Sequence, residues 1–274
     1  MSAVNGVLRA ASDLLLAPLS GLPPLVGLLV VSAVTSVLML LVFKWTSDQA
    51  RMEQVKRRIH ASLFEIRLFN DDLVNILRSS LDIVRHNALY VRLTLLPLAI
   101  MIVPLVLAVA QLQFHYGYQN LRPGESTLVQ VELAGGGGER RPDARLTATD
   151  GVSIDAGPIW IPSQRELAWR ITATGEGSQL LTLELDGRTY TKTLELSPGV
   201  ARRSPLRPAE GFWNQLLYPS EDPLPADAPV EAIAVGYRGA EVGAFGLEAH
   251  WIIGFLVLSI VFAFAFRGAL GVQV

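Results

Sequence analysis

A charged, helix-patterned stretch, Trp45 to Arg92, lies between the two most apolar runs in the first half of the chain, and this constrains the fold more than any other feature. The run before it, Leu25 to Phe43, reads LVGLLVVSAVTSVLMLLVF and carries no charge. At ~1.5 Å per residue it spans roughly 30 Å, the thickness of a hydrocarbon core. Lys44 and Trp45 follow as interface anchors. The run after it, Leu89 to Leu112, returns through the bilayer with Pro97 and Pro104 inside it. Membrane helices tolerate such prolines where neighbouring helices pack against them, so they read as packing features rather than a hinge. A third run, Ala249 to Phe266, begins beside Trp251 and ends at Arg267. The charged stretch therefore begins and ends on one side of the membrane, and the remaining topology follows from which side that is.

Composition agrees with membrane segments joined to a soluble part. Half the residues are hydrophobic and mean hydropathy is +0.37. The net charge of −2 gives no bulk electrostatic reason to bind nucleic acid. The absence of cysteine excludes disulfide frameworks, cysteine metal sites and thiol catalysis. Arginine far outnumbers lysine and Ala, Gly, Leu and Val are abundant, as in bacteria with GC-rich genomes.

The charged stretch is amphipathic. Val55, Ile59, Ser62, Ile66, Phe69, Leu73 and Ile76 step by threes and fours into a heptad-like, coiled-coil seam. Asn70-Asp71-Asp72 interrupts it with N-capping residue types, which explains the paired carboxylates better than acid–base chemistry does. Two antiparallel helices, about 47–69 and 72–88, are expected to pack as a hairpin. Lys44 to Arg92 carries nine Lys/Arg against six Asp/Glu, whereas Arg9, Arg122 and Arg238 stand alone beside the opposite ends of the spans. By the positive-inside rule the hairpin and the C-terminus are cytoplasmic and the N-terminus is outside. The expected location is the bacterial cytoplasmic (inner) membrane.

The expected divisions are an interfacial N-terminal segment 1–23, a first span 24–44, a helical hairpin 45–88, a second span 89–113, an extracytoplasmic β domain 114–248, a third span 249–267 and a tail 268–274. In the β domain, Thr127–Leu133, Glu166–Thr172, Gln179–Leu185 and Thr189–Leu196 alternate with period two, Asp186-Gly187 reads as a hairpin turn, and Val230–Tyr237 reads as another strand. Gly135–Gly138 and Pro198–Pro208 read as loops. Seven or eight short strands predict an all-β sandwich of immunoglobulin-like type. Phe212-Trp213 and Leu216–Tyr218 either pack under it or touch the membrane interface.

No constellation calls for an enzyme, a metal or a cofactor. His60, His86, His115 and His250 are scattered; His115 and His250 read as anchors at the outer interface rather than a metal pair, because no third ligand is evident. The β domain has no nucleophile motif, and Gly135–Gly138 lacks the lysine and helix of a phosphate-binding loop. Within the first span, Ser32, Thr35 and Ser36 share one helix face. Two readings stand for them: hydrogen bonding or close packing between helices, and the lining of a hydrated client-binding groove. On the hairpin, Lys56, Arg57, Arg58 and Arg67 form the candidate cytoplasmic surface.

An interfacial helix, an N-out span, the basic hairpin RMEQVKRRIHASLFEIRLFNDDL, a return span and a third span together resemble the core of the YidC-type membrane-insertase superfamily, including its short three-span relatives. The resemblance covers about residues 10–112 and 249–267. It implies that a cytoplasm-facing groove and the hairpin help hydrophobic client segments enter the bilayer. The groove arginine of bacterial insertases has no counterpart in Leu25–Phe43, and a β domain stands where those proteins have two further membrane helices. Leu63 to Pro123 also resembles an uncharacterised bacterial membrane-protein family, which implies no activity. Two functions are therefore expected as alternatives. The first is an insertase-like protein whose partners are the lipid bilayer and hydrophobic segments of other membrane proteins. The second is a membrane-anchored scaffold whose β-sandwich binds an extracytoplasmic protein.

Overall fold

Pro24 opens the first long helix, at the position where a missing N–H is harmless and a fixed φ helps. The computed structural model describes residues 2–20, 22–69, 71–135, 141–244 and 247–272. Asn70 and Gly136–Gly138 of the sequence expectations lie outside them. The chain forms α1 (Ser2–Leu16), a 3-10 turn (Ala17–Leu19), α2 (Pro24–Thr46), α3 (Gln49–Leu68) and α4 (Leu73–Tyr116). Strands β1–β8 then follow, with α5 (Phe212–Leu217) between β7 and β8, and the chain ends in the hairpin β9 (Glu241–Ala244) and β10 (Leu247–His250) and in α6 (Trp251–Leu270). Among the described residues, three helices, α2, α4 and α6, are long and apolar enough to cross a membrane. Contacts divide the chain into two units, residues 1–28 with 108–254 and residues 29–107 with 255–274.

The second unit holds the hairpin. Asp48 caps α3 by accepting the Arg51 N–H at 3.0 Å, and Asp72 caps α4 by accepting the N–H groups of Val74 and Asn75 at 3.0 and 3.2 Å. The two arms run antiparallel: Ser79 donates to Glu65 at 2.9 Å, and the Lys56 ammonium sits 5.5 Å from the Tyr90 ring centre. Met52, Val55 and Ser62 of α3 and Ser79 of α4 are buried. The expected seam stops short of the tip, where Leu73 is 74% exposed and Phe69 is 45% exposed. The expected second arm and second span are one helix of 44 residues, about 66 Å long, more than twice a hydrocarbon core of about 30 Å. Pro97 and Pro104 lie inside it with helix continuing on both sides.

In the first unit, β3 (Val152–Ile161), β4 (Glu166–Ala173), β1 (Ser126–Leu133), β8 (Val230–Val235) and β7 (Leu206–Pro208) form one antiparallel sheet in that order, and β2 (Ala144–Ala148), β5 (Ser178–Leu185) and β6 (Arg188–Glu195) form another. Val129, Val131, Leu167, Trp169 and Ile171 from the first sheet share one core with Leu181, Leu183, Tyr190 and Leu194 from the second, so the two sheets form a sandwich. Alternation along each strand produces this, because every second residue faces inward. The turn between β5 (Ser178–Leu185) and β6 (Arg188–Glu195) has φ of 46° at Asp186 and 79° at Gly187, both positive as a type I′ turn requires. β2 (Ala144–Ala148), β3 (Val152–Ile161) and β7 (Leu206–Pro208) were not expected from the sequence. The third helix begins at Trp251 rather than Ala249, because Leu247–His250 pairs with Glu241–Ala244, and it runs past Arg267 to Leu270.

One glycine is required by the core. Gly157 in β3 has φ of 128°, and a Cβ there would lie 2.6 Å from Cδ1 of the buried Trp169. Gly157→Ala is therefore expected to cost about 1–3 kcal/mol through overpacking and backbone strain. Near-UV circular dichroism of the intact protein during thermal unfolding would register this as an earlier loss of the aromatic signal.

Candidate functional site

The spans of the second unit enclose a groove. Met39, Leu40 and Phe43 of α2, Leu98 and Met101 of α4, and Ala263, Phe264 and Arg267 of α6 surround a cavity of about 230 Å³. Its exposed wall is apolar throughout. The Arg267 guanidinium lies over the Phe264 ring, 5.0 Å from its centre, and so sets a cation beside an apolar slot. Lys44 donates to the Leu270 carbonyl at 2.7 Å and satisfies the end of α6. The two methionines matter chemically. Their unbranched, polarisable side chains adapt to differently shaped apolar guests.

Ser32, Thr35 and Ser36 do face one way, and all three are buried. Ser36 Oγ lies 2.7 Å from the Ser32 carbonyl in its own helix and 2.8 Å from the Ser259 carbonyl of α6. Ser36 thus joins α2 to α6 and also borders the cavity, whereas Ser32 and Thr35 are buried away from its lining. Among the described residues, the Ser32 and Ser259 hydroxyls have no hydrogen-bond partner. Of the three, Ser36 alone borders the cavity, whose exposed wall is apolar. A small hydroxyl lets helices approach closely and is consumed in that contact.

On the hairpin, Arg57 pairs with Glu53 at 2.6 Å one helical turn away, and its side chain is largely exposed. Arg58 and Arg67 are exposed, and Lys56 is half-buried against Tyr90. Such exposed charges contribute little stability, so their effect is on the local field. Arg67 borders a shallow surface depression with Phe64 and Leu68, beside an apolar tip in which Leu68, Leu73 and Val74 are exposed.

Two polar centres of the first unit escaped the sequence reading. His115, read as an interface anchor, is buried: its Nε2 lies 3.4 Å from Asp13, which also accepts from Arg202 at 2.7 Å. His250 is exposed beside Trp251. No cluster of three or more metal-ligating side chains occurs among the described residues.

The second centre is the buried Lys192. Its Nζ contacts Glu221, the Ser204 carbonyl at 2.6 Å and Ser204 Oγ at 2.8 Å. Burial pushes this ammonium down to about 8 against the pull of Glu221. Burial also works to raise the Glu221 carboxyl, but Lys192 and hydrogen bonds from Lys192, Ser204 and the Thr193 N–H outweigh it and hold the group below its usual range. A lysine beside a serine could activate a nucleophile. Here Ser204 Oγ also lies 2.7 Å from the Glu221 carboxylate, and Lys192 and Ser204 are both buried. The arrangement fits a lock between β6 and the segment 204–221. The signal was present in the sequence, since Lys192 shares the inward parity of Tyr190, Leu194 and Leu196.

Comparison of the chain with models of protein families, with curated proteins and with solved structures gives no match.

Proposed function

We propose that the protein is an insertase-like integral membrane protein that receives hydrophobic client segments in the groove between its spans, assisted by the hairpin. One observation carries this reading: the apolar, methionine-lined cavity bordered by all three spans. A segment leaving water gains about 25 cal/mol for each Å² of apolar surface that such a slot covers. The positive-inside rule supports a cytoplasmic hairpin and C-terminus in a bacterial inner membrane, with the N-terminus and the sandwich outside. The resemblance to the YidC-type superfamily, carried by the layout of spans and hairpin, supports the same reading. It requires no catalytic residue, metal or cofactor.

We read the sandwich as immunoglobulin-like. Its order β3-β4-β1 opposite β2-β5-β6 supports this, being the order D-E-B opposite C-F-G, with β8 in the position of the first strand.

Photo-crosslinking tests the proposal. A photoreactive residue at Met39 or Met101 is expected to capture nascent membrane proteins, whereas one at the exposed Val103 captures lipid. Equal capture at all three positions would refute a client groove. If deletion of residues 120–245 abolished a co-purifying partner while the groove positions captured nothing, the protein would instead be a membrane-anchored scaffold.

A further inference from the structure

Helix α1 is amphipathic in the inverse sense to a surface helix of a water-soluble protein. Among the described residues, its exposed ones are Val7, Ala10, Ala11, Leu14 and Leu15, all apolar. Asn5, Arg9, Ser12 and Asp13 are instead partly buried, turned toward the protein. Each makes a polar contact. Asn5 donates to the Gln215 carbonyl at 2.6 Å, Arg9 pairs with Asp222, Ser12 lies 3.5 Å from Gln111, and Asp13 accepts from Arg202.

Helix α5 repeats the inversion. Phe212, Trp213 and Leu217 are 56%, 68% and 60% exposed, while Gln215 is buried and Asn214 donates inward to the Ala209 carbonyl at 3.1 Å. In water such a patch is a liability, because apolar surface is exposed while polar groups are withdrawn from solvent. In an interfacial layer the same arrangement is the stable one.

The position of α1 indicates which layer. Ser12 and Asp13 hold it against Gln111 and His115, where the apolar run of α4 ends and polar residues begin. Only a short connection separates Leu16 from the span beginning at Pro24. Asn5 then ties α1 to α5 through the Gln215 carbonyl.

We infer that α1 and α5 together form a foot seated in the interfacial layer of the bilayer that the chain spans, on the side of the β-sandwich. Its ligand is the boundary between lipid headgroups and acyl chains. Val7, Leu14, Trp213 and Leu217 enter that boundary, and the polar contacts behind them tie the sandwich to the membrane surface.

The chain lacks cysteine, so single cysteines introduced for spin labels report without background. Val7→Cys, Leu14→Cys, Trp213→Cys and Leu217→Cys would be placed in the full protein and reconstituted into phosphatidylcholine vesicles. Arg188→Cys, on the exposed β5–β6 turn, is the aqueous control. The foot labels are expected to collide with oxygen relative to a water-soluble nickel chelate several-fold more than the control label does. Ratios equal to the control would place the foot in water and overturn the inference. Labels shielded from both reagents, with dipolar broadening between copies, would show that a second copy covers the surface, and this too would overturn it.

Discussion

Glu221→Ala is expected to destabilise the β-sandwich by about 3–5 kcal/mol, the range for removing one partner of a buried ion pair. The reason is what remains. The Lys192 side chain is 1% exposed, and without the carboxylate its ammonium keeps only the Ser204 and Thr193 acceptors. The Thr193 N–H, which donates to Glu221 at 2.7 Å, loses its acceptor as well. Hydrogen exchange of a peptide covering β6 in the intact protein should show protection falling roughly a hundredfold or more, since about 1.4 kcal/mol corresponds to a factor of ten. The double variant Lys192→Met/Glu221→Leu should recover most of the loss, because it removes both charges. If Glu221→Ala left β6 fully protected, the pair would not be a lock. The same pair predicts acid sensitivity. The Glu221 carboxyl is held below its ordinary value of 4.5, so its contribution is present above that value and is lost as pH falls through the folded-state value. Protection of β6, taken relative to the intrinsic exchange rate at each pH, should therefore fall in acid in the wild type and show less acid sensitivity in the double variant.

Filling the groove is expected to have the largest functional effect. Met39→Trp with Met101→Trp places two indoles in a cavity of about 230 Å³ and leaves no room for a client side chain. Capture of clients by a photoreactive residue at Leu98 should fall to the level seen from Val103. The hydrogen bond from Ser36 to Ser259 lies in the helix contact and is not part of the substitution. A control, Val103→Trp, alters an exposed face and should leave capture unchanged.

The membrane helices were legible because an uncharged run of about 20 residues has few alternatives. The hairpin arms were legible from their step of threes and fours. Their continuity with the second span was not, since Arg85 and Arg92 look like an aqueous boundary although the helix passes through them. β1, β4, β5 and β6 alternate cleanly. β3 does not, because its pairing is irregular around Ala156–Ile159, where Gly157 makes room for Trp169. The site divides in the same way. The shared face of Ser32, Thr35 and Ser36 was visible. That Ser36 would engage α6 depends on a residue 223 positions away in the chain, and no local pattern encodes that. Met39, Leu98 and Met101 carried no signal, since within an apolar run a groove-lining side chain is indistinguishable from one that faces lipid. Asp13 was visible as a charge on an apolar segment, but its partners lie far along the chain at His115 and Arg202.

The most direct test is reconstitution. Vesicles containing the purified protein would be given a single-span client synthesised without other membrane proteins, and insertion would be read as protection of the translocated client segment from protease. Insertion is expected well above that of protein-free vesicles, abolished by Met39→Trp/Met101→Trp and retained by Val103→Trp. Insertion that matches protein-free vesicles, or that survives the filled groove, would contradict a client groove.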